Sequence, residues 1–210
     1  MKNVRITLLA AAMAATCFSL PAGAREAGDF ILRLGPTGVY PNTKYDKSDL
    51  GGAGVDVQPA WSLGITATYM LTDNLGLGVL GAWPFKHDIK GDGALPSKKL
   101  ASTKHLPPTV TAQWFFPVGA FHPYIGAGVN YTYFFDERTN GALSGTNLKL
   151  SDSWGLAGEA GFDYEMSDNW LASVQIWYAD INTRAKVSGV GSLDVQVDPW
   201  VYMFSVGKKF

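Results

Sequence analysis

Residues 61–69 alternate without a break. Trp61, Leu63, Ile65, Ala67 and Tyr69 are apolar, and Ser62, Gly64, Thr66 and Thr68 between them are small or polar. A period of two puts these sets on opposite faces of a strand, whereas a helix would mix them. The pattern returns over 75–85, 124–135, 156–164 and 200–210, and more weakly over 30–40, 106–116 and 170–180. Eight strands follow. No segment after residue 24 approaches 18 uninterrupted apolar residues, so a membrane-crossing helix is not expected. Yet only 17% of the residues are charged, against roughly 25% in soluble domains. A closed barrel remains the way to place such a chain in a bilayer, because every strand amide then finds a partner.

Ahead of the strands, Lys2 and Arg5 precede an apolar stretch over 6–20, and Ala22-Gly23-Ala24 forms an A-x-A pattern followed by Arg25. Residues 1–24 therefore read as a cleaved signal peptide and 25–210 as the barrel domain. The one cysteine, Cys17, falls in the removed segment, so no disulfide scaffold is expected. Thr16 and Phe18 beside it fit a lipidation site poorly. The net charge of -1 supplies no basic footprint for nucleic acid. An aromatic content of 13% excludes a disordered chain.

The connections alternate in length. Residues 72–74, 117–120 and 167–169 make tight turns, whereas 41–56, 87–104, 136–152 and 183–194 are long and polar. Short periplasmic turns and long extracellular loops are the habit of outer-membrane barrels. The expected fold is therefore an all-β, eight-stranded antiparallel transmembrane barrel in the cell outer membrane. A soluble barrel of lipocalin type would bury aliphatics inside, but here the small and polar face is the one that closure turns inward.

That inward face carries Gly64, Gly76, Gly78, Gly126 and Gly128, with Met203 and Val201 on the last strand. With 24 glycines in the chain, small inward residues are expected to line a thin lumen, although glycine also eases barrel curvature. Leu80 is the large apolar exception and should narrow it. Glu159 and Asp163, two inward positions (four residues) apart, are expected to pair with a lumen cation such as Arg33. Pro36, Pro59, Pro84, Pro107 and Pro108 fall in or beside strands, and each removes a ladder donor. Pro59, Pro84, Pro107 and Pro108 are candidates for a sideways exit; the bland reading is that they end strands before loops.

Catalysis has little to rest on. His87, His105 and His122 follow the signal peptide, Asp88 adjoins His87 and Ser102 lies near His105, but no G-x-S-x-G nucleophile motif accompanies them. Two histidines without a fixed acidic partner are weak evidence for a metal, and no cofactor is expected.

Thr103-Lys104-His105-Leu106-Pro107-Pro108-Thr109 with Ala112-Gln113-Trp114-Phe115-Phe116, the stretch over 123–135, Asp152-Ser153-Trp154-Gly155 and Asp198-Pro199-Trp200 together resemble the OmpW family of Gram-negative outer-membrane proteins, which includes AlkL-like members. The resemblance implies a barrel with a narrow, largely apolar interior that passes small hydrophobic molecules, one branch assisting alkane uptake. It also implies a constriction formed by Leu80 and Trp154, although the alternation turns Trp154 outward. The terminal Phe210, with apolar residues at most alternate positions before it, resembles the signal read by the barrel assembly machinery; Lys208 departs from it. The expected partners are thus the outer-membrane bilayer, small hydrophobic solutes and that machinery. The alternatives are a sealed barrel serving as an anchor, receptor or adhesin, and a lipid-modifying enzyme at the barrel rim.

Overall fold

The computed structural model describes residues 25–45, 52–95, 97–167 and 169–210. The expected signal peptide lies outside the described residues, as do 46–51, Pro96 and Asp168 in the connections. The described strands are β1 (Phe30–Tyr40), β2 (Lys44–Tyr45), β3 (Ala53–Val57), β4 (Ala60–Met70), β5 (Leu75–Ala82), β6 (Phe85–Gly93), β7 (Lys99–Leu106), β8 (Thr109–Phe115), β9 (Phe121–Thr139), β10 (Leu148–Leu150), β11 (Ser153–Glu165), β12 (Trp170–Ala179), β13 (Asn182–Val187), β14 (Gly191–Gln196) and β15 (Trp200–Lys209).

Eight of these, β1, β4, β5, β8, β9, β11, β12 and β15, pair antiparallel in chain order. The last returns to the first, with Leu32 opposite Lys208 and Tyr40 opposite Trp200, so the barrel closes and leaves no edge. On its outer face Leu34, Leu63, Val79, Val110, Ile125, Leu156 and Phe204 are exposed. Aromatic residues bound this aliphatic band. Phe30, Tyr69, Trp114 and Tyr164 lie at the tight-turn end, and Tyr40, Trp61, Tyr178 and Trp200 at the other. This is the lipid-facing surface of an outer-membrane barrel.

Each of the four connections expected as long loops contains strand, and 87–104 and 183–194 are mostly strand among the described residues. β3, β6 and β7 extend one part of the wall beside the upper end of β9, and β10, β13, β14 and β2 form a second sheet. The pattern there is reversed. In β13, Thr183, Ala185 and Val187 face inward while Asn182, Arg184 and Lys186 are exposed; β14 turns Leu193 and Val195 inward and Asp194 outward. Polar residues read as loop are in fact the water-facing side of a wall that has left the lipid.

Inside the membrane half, polar side chains fill the barrel. Arg33 and Asp163 are fully buried. Arg33 donates through Nε to Asp163 Oδ1 at 2.8 Å and through Nη2 to Oδ2 at 2.5 Å, and its Nη1 reaches Thr68 Oγ1 at 2.9 Å. Arg25 joins the same carboxylate from below and lies over the Phe115 ring. Ser173 donates to Asp163 Oδ1 at 2.5 Å. Thus Asp163 pairs with Arg33 as expected. Glu159 takes a different set, accepting from Thr111 at 2.6 Å and from Gln113 at 2.9 and 3.0 Å.

Removing one partner of a buried ion pair leaves an uncompensated charge and costs about 3–5 kcal/mol. Asp163→Asn should therefore lower the urea midpoint of the barrel in lipid vesicles, read by its heat-dependent gel mobility. The paired change Arg33→Met with Asp163→Leu should cost less than Asp163→Asn alone.

Candidate functional site

Above the lipid-facing band the inverted pattern encloses a cup. Val55 and Val57 from β3, Ile89 from β6, Phe134 from β9, Leu148 and Leu150 from β10, and Leu193 and Val195 from β14 line a cavity of about 320 Å³. The volume lies at the small end of the range for small-molecule pockets. The lining is almost wholly hydrocarbon because outside the bilayer this interior is the only dry side of the wall, and burial of apolar surface is what holds the extension together.

The cup has a floor. Val39, Leu80, Phe85, Trp177, Val201 and Met203 pack into one cluster across the barrel. A space of about 10 Å³, roughly one water, lies beside Val39, Leu80, Trp177 and Val201. Leu80 is 5% exposed and stands in the neck where its inward position placed it. Trp154 does not. It is 72% exposed on the outer surface, against Tyr131 at 4.7 Å between ring centres, so the alternation placed it correctly and the resemblance did not. The large ring opposite Leu80 is Trp177, 3% exposed and not among the residues expected at the neck. Its signal was present: residue 177 shares odd parity with the inward Gln175 and Ile181.

Beside this floor the backbone ladder stops. β5 and β8 pair up to Leu80 opposite Thr109, and pairing resumes only at Phe85 opposite His105 in β6 and β7. On the other side of the same strand, β4 and β5 pair to Gly64 opposite Ala82, and β3 and β6 resume at Val57 opposite Ile89. Trp83 N–H to Leu63 and Gln58 N–H to Asp88 are the backbone bonds across that second interval. Pro84, Pro107 and Pro108 flank the first interruption, and Pro59 and Pro84 the second. None of them has an N–H to give. Pro36 instead lies within β1, opposite Leu63 of β4.

Below the floor, the glycines face inward but line no through-channel. A Cβ on Gly64 would stand 2.1 Å from Thr37 Oγ1, and one on Gly78 would stand 2.4 Å from Gln113 Nε2. One on Gly76 would meet Thr68 and Met70, and one on Gly126 would meet Glu159. The room they free is taken by side chains from the neighbouring strands. Gly128 does something else: its missing Cβ would fall 1.8 Å from the Val110 carbonyl oxygen, so it lets two strands approach closely. Small inward residues are legible in the sequence; how far Arg33, Gln113 and Gln175 reach over them from other strands is not.

Two histidines break the hydrocarbon of the cup. The rings of His87 and His105 stack at 4.8 Å, and His105 stacks on Phe85 at 5.4 Å. His87 Nδ1 lies 2.6 Å from the carbonyl oxygen of Gln58. Burial holds both imidazoles below their usual range. His105 is depressed further, with His87 beside it adding to the effect. Among the described residues His87, Asp88, Ser102 and His105 make no Ser–His–Asp constellation: Asp88 pairs with Lys99 at 2.7 Å. His122 lies at the opposite end of the barrel, 3.4 Å from Glu165. Among the described residues no group of three His, Cys, Asp or Glu side chains could hold a metal.

Residues 26–210 match the model of the OmpW family. The outer membrane protein W of Vibrio cholerae is 43% identical over 97% of this chain and 99% of its own length, and that of Escherichia coli is 44% identical over the full length of both. The crystal structure of OprG from Pseudomonas aeruginosa superposes with a TM-score of 0.80 at 42% identity, covering 89% of this chain and 98% of OprG. With the closed eight-stranded barrel, its apolar cup and a family match over nearly the whole chain, the protein belongs to the OmpW family of outer-membrane barrels.

Proposed function

We propose that the chain admits small apolar molecules from outside the cell into the cup and releases them sideways into the outer membrane through the ladder interruptions beside Pro84 and Pro107–Pro108. The observation that carries this reading is the position of the cavity. It is closed below by the Leu80–Trp177 neck and then by a charged plug, yet its floor adjoins two stretches of wall without continuous backbone pairing. An apolar solute gains nothing by entering a lumen built around Arg33 and Asp163, because displacing their hydrogen bonds would strand buried charge. Lipid is the nearer and better solvent. The bilayer is thus both anchor and acceptor, and folding through the assembly machinery by way of Phe210 belongs to the same reading.

The filled lower lumen also favours a sealed barrel that presents its extended rim to a surface partner. Uptake separates the two readings. Replacing Pro107 with Val and Pro108 with Thr restores two N–H donors to the ladder. The double variant should keep its fold while apolar uptake into vesicles falls towards that of protein-free lipid. Undiminished uptake would sink the sideways route, and absence of uptake by the unaltered protein would favour the sealed barrel. Leu80→Asn puts an amide without a partner in the floor. At about 1–3 kcal/mol for such a group, apolar uptake should slow roughly tenfold.

An apolar cup also requires neutral histidines. In the unfolded chain His87 and His105 take up protons as the pH falls through about 6.5. In the folded chain their lowered values delay this, so the unfolded state binds more protons and stability declines as the pH drops below that point. Acidification from pH 7 to 5 should lower the denaturation midpoint, and His105→Phe, which preserves the ring stack, should flatten that dependence.

A further inference from the structure

The stacked histidines give the cup a chemistry beyond greasiness. Polar side chains elsewhere on its wall are satisfied: Thr183 donates to the Ser151 carbonyl at 2.7 Å, and Thr132 to Asn130 Oδ1 at 2.7 Å. His87 is not. The Gln58 carbonyl can only accept, so Nδ1 of His87 must carry the proton and donate at 2.6 Å. The ring is neutral, and Nε2, its atom further from the backbone, is therefore left with a bare lone pair. That atom is buried and has no hydrogen-bond partner among the described residues, in a residue that lines the cavity. His105, stacked upon it, makes ring contacts with Phe85, His87 and Phe134 and no hydrogen bond to a described residue. As a neutral imidazole it holds one N–H and one lone pair.

The geometry points to a ligand with an apolar body and a single terminal hydroxyl, an aliphatic alcohol or a phenol, whose O–H donates to His87 Nε2 and whose oxygen accepts the N–H of His105. The assignment rests on the cup being the solute site, and it narrows that reading from any greasy molecule to one with a polar end. A bare hydrocarbon leaves both nitrogens unpaired in a dry cavity, whereas a hydroxyl satisfies both. A carboxylate has no proton for Nε2 and would bring a charge among aliphatic walls. A pocket built to hydrogen-bond a hydroxyl discriminates against the analogue that lacks it.

The test compares 1-octanol, n-octane and octanoate at pH 7.5, binding to the full barrel in lipid nanodiscs with 15N-labelled histidine. Even one of the two hydrogen bonds is expected to favour 1-octanol over n-octane about three- to tenfold. The His87 Nε2 resonance should move towards the hydrogen-bonded range with 1-octanol and stay in place with n-octane. In His87→Phe and in His105→Phe, each checked for folding by gel mobility, the octanol-to-octane ratio should fall towards one. Taking the ratio against the variant cancels partition into the lipid. Equal binding of 1-octanol and n-octane by the unaltered protein, a preference that survives in His87→Phe, stronger binding of octanoate, or no binding of any of the three would each overturn the assignment. Octanol that binds as described but never crosses into vesicles would instead leave this site standing and remove the transport reading.

Discussion

Everything in this barrel depends on a solvent that changes once along the wall. In hydrocarbon an unpaired backbone group costs several kcal/mol, so in the membrane half the strands pair all the way round, with a short gap between β1 and β15 at Gly35 and Pro36. Above the aromatic belt water can satisfy the backbone, and the constraint relaxes. One strand line shows both regimes. From Leu171 to Val187 the odd-numbered residues face inward throughout β12 and β13, yet their character changes. Below, Ser173 and Gln175 face the lumen while Val174 and Ile176 face lipid; above, Ala185 and Val187 face the cup while Arg184 and Lys186 face water. Parity is preserved and polarity is reversed.

The prolines belong to this transition. Pro59, Pro84, Pro107, Pro108 and Pro199 separate lower from upper strand segments, where loss of an N–H is affordable and the wall can change register. Between β3 and β4 the inward parity shifts by one, from Val57 to Ala60, and between β5 and β6 it shifts from Ala82 to Phe85. Such slips would expose the wrong face deep in lipid. At the edge of the belt they merely loosen the pairing around β5 and β6. The interruptions beside Leu80 therefore follow from where the solvent changes, and a solute held above the neck meets them first.

Much of this was legible in the sequence and some was hidden by the same physics. Alternation revealed the eight strands because lipid outside and polar groups inside make opposite faces unmistakable, and it placed Trp154 outward against the family pattern. The strand extensions stayed hidden because a dry interior facing a wet exterior yields runs such as Asn182-Thr183-Arg184, which read as loop when only lipid-facing hydrophobicity is sought. The lumen was misjudged for a different reason. Glycine and serine on one strand say nothing about how far Arg33, Gln113 or Tyr124 reach from another, and whether space stays open depends on contacts between strands rather than along one. Trp177 is hard to read because its strand is apolar on both sides as it passes the neck, and parity with Gln175 alone marks its inward face.

His87 shows how tightly wall and cup are joined. Gln58 and Asp88 stand opposite one another where the pairing of β3 with β6 runs out. Gln58 N–H reaches the Asp88 carbonyl at 2.9 Å, but its own carbonyl is taken by the imidazole of His87 at 2.6 Å rather than by the reciprocal backbone bond. The side chain thus patches a ladder that the prolines on either side leave incomplete. That contact fixes which nitrogen of the ring carries the proton. Had the ladder run on, a backbone amide would compete for the Gln58 carbonyl, and the ring would be held less firmly to this one tautomer. The interruption in the wall therefore sets the hydrogen-bonding character of the cup beside it: the feature that offers a way out into the lipid also determines what the cavity can hold.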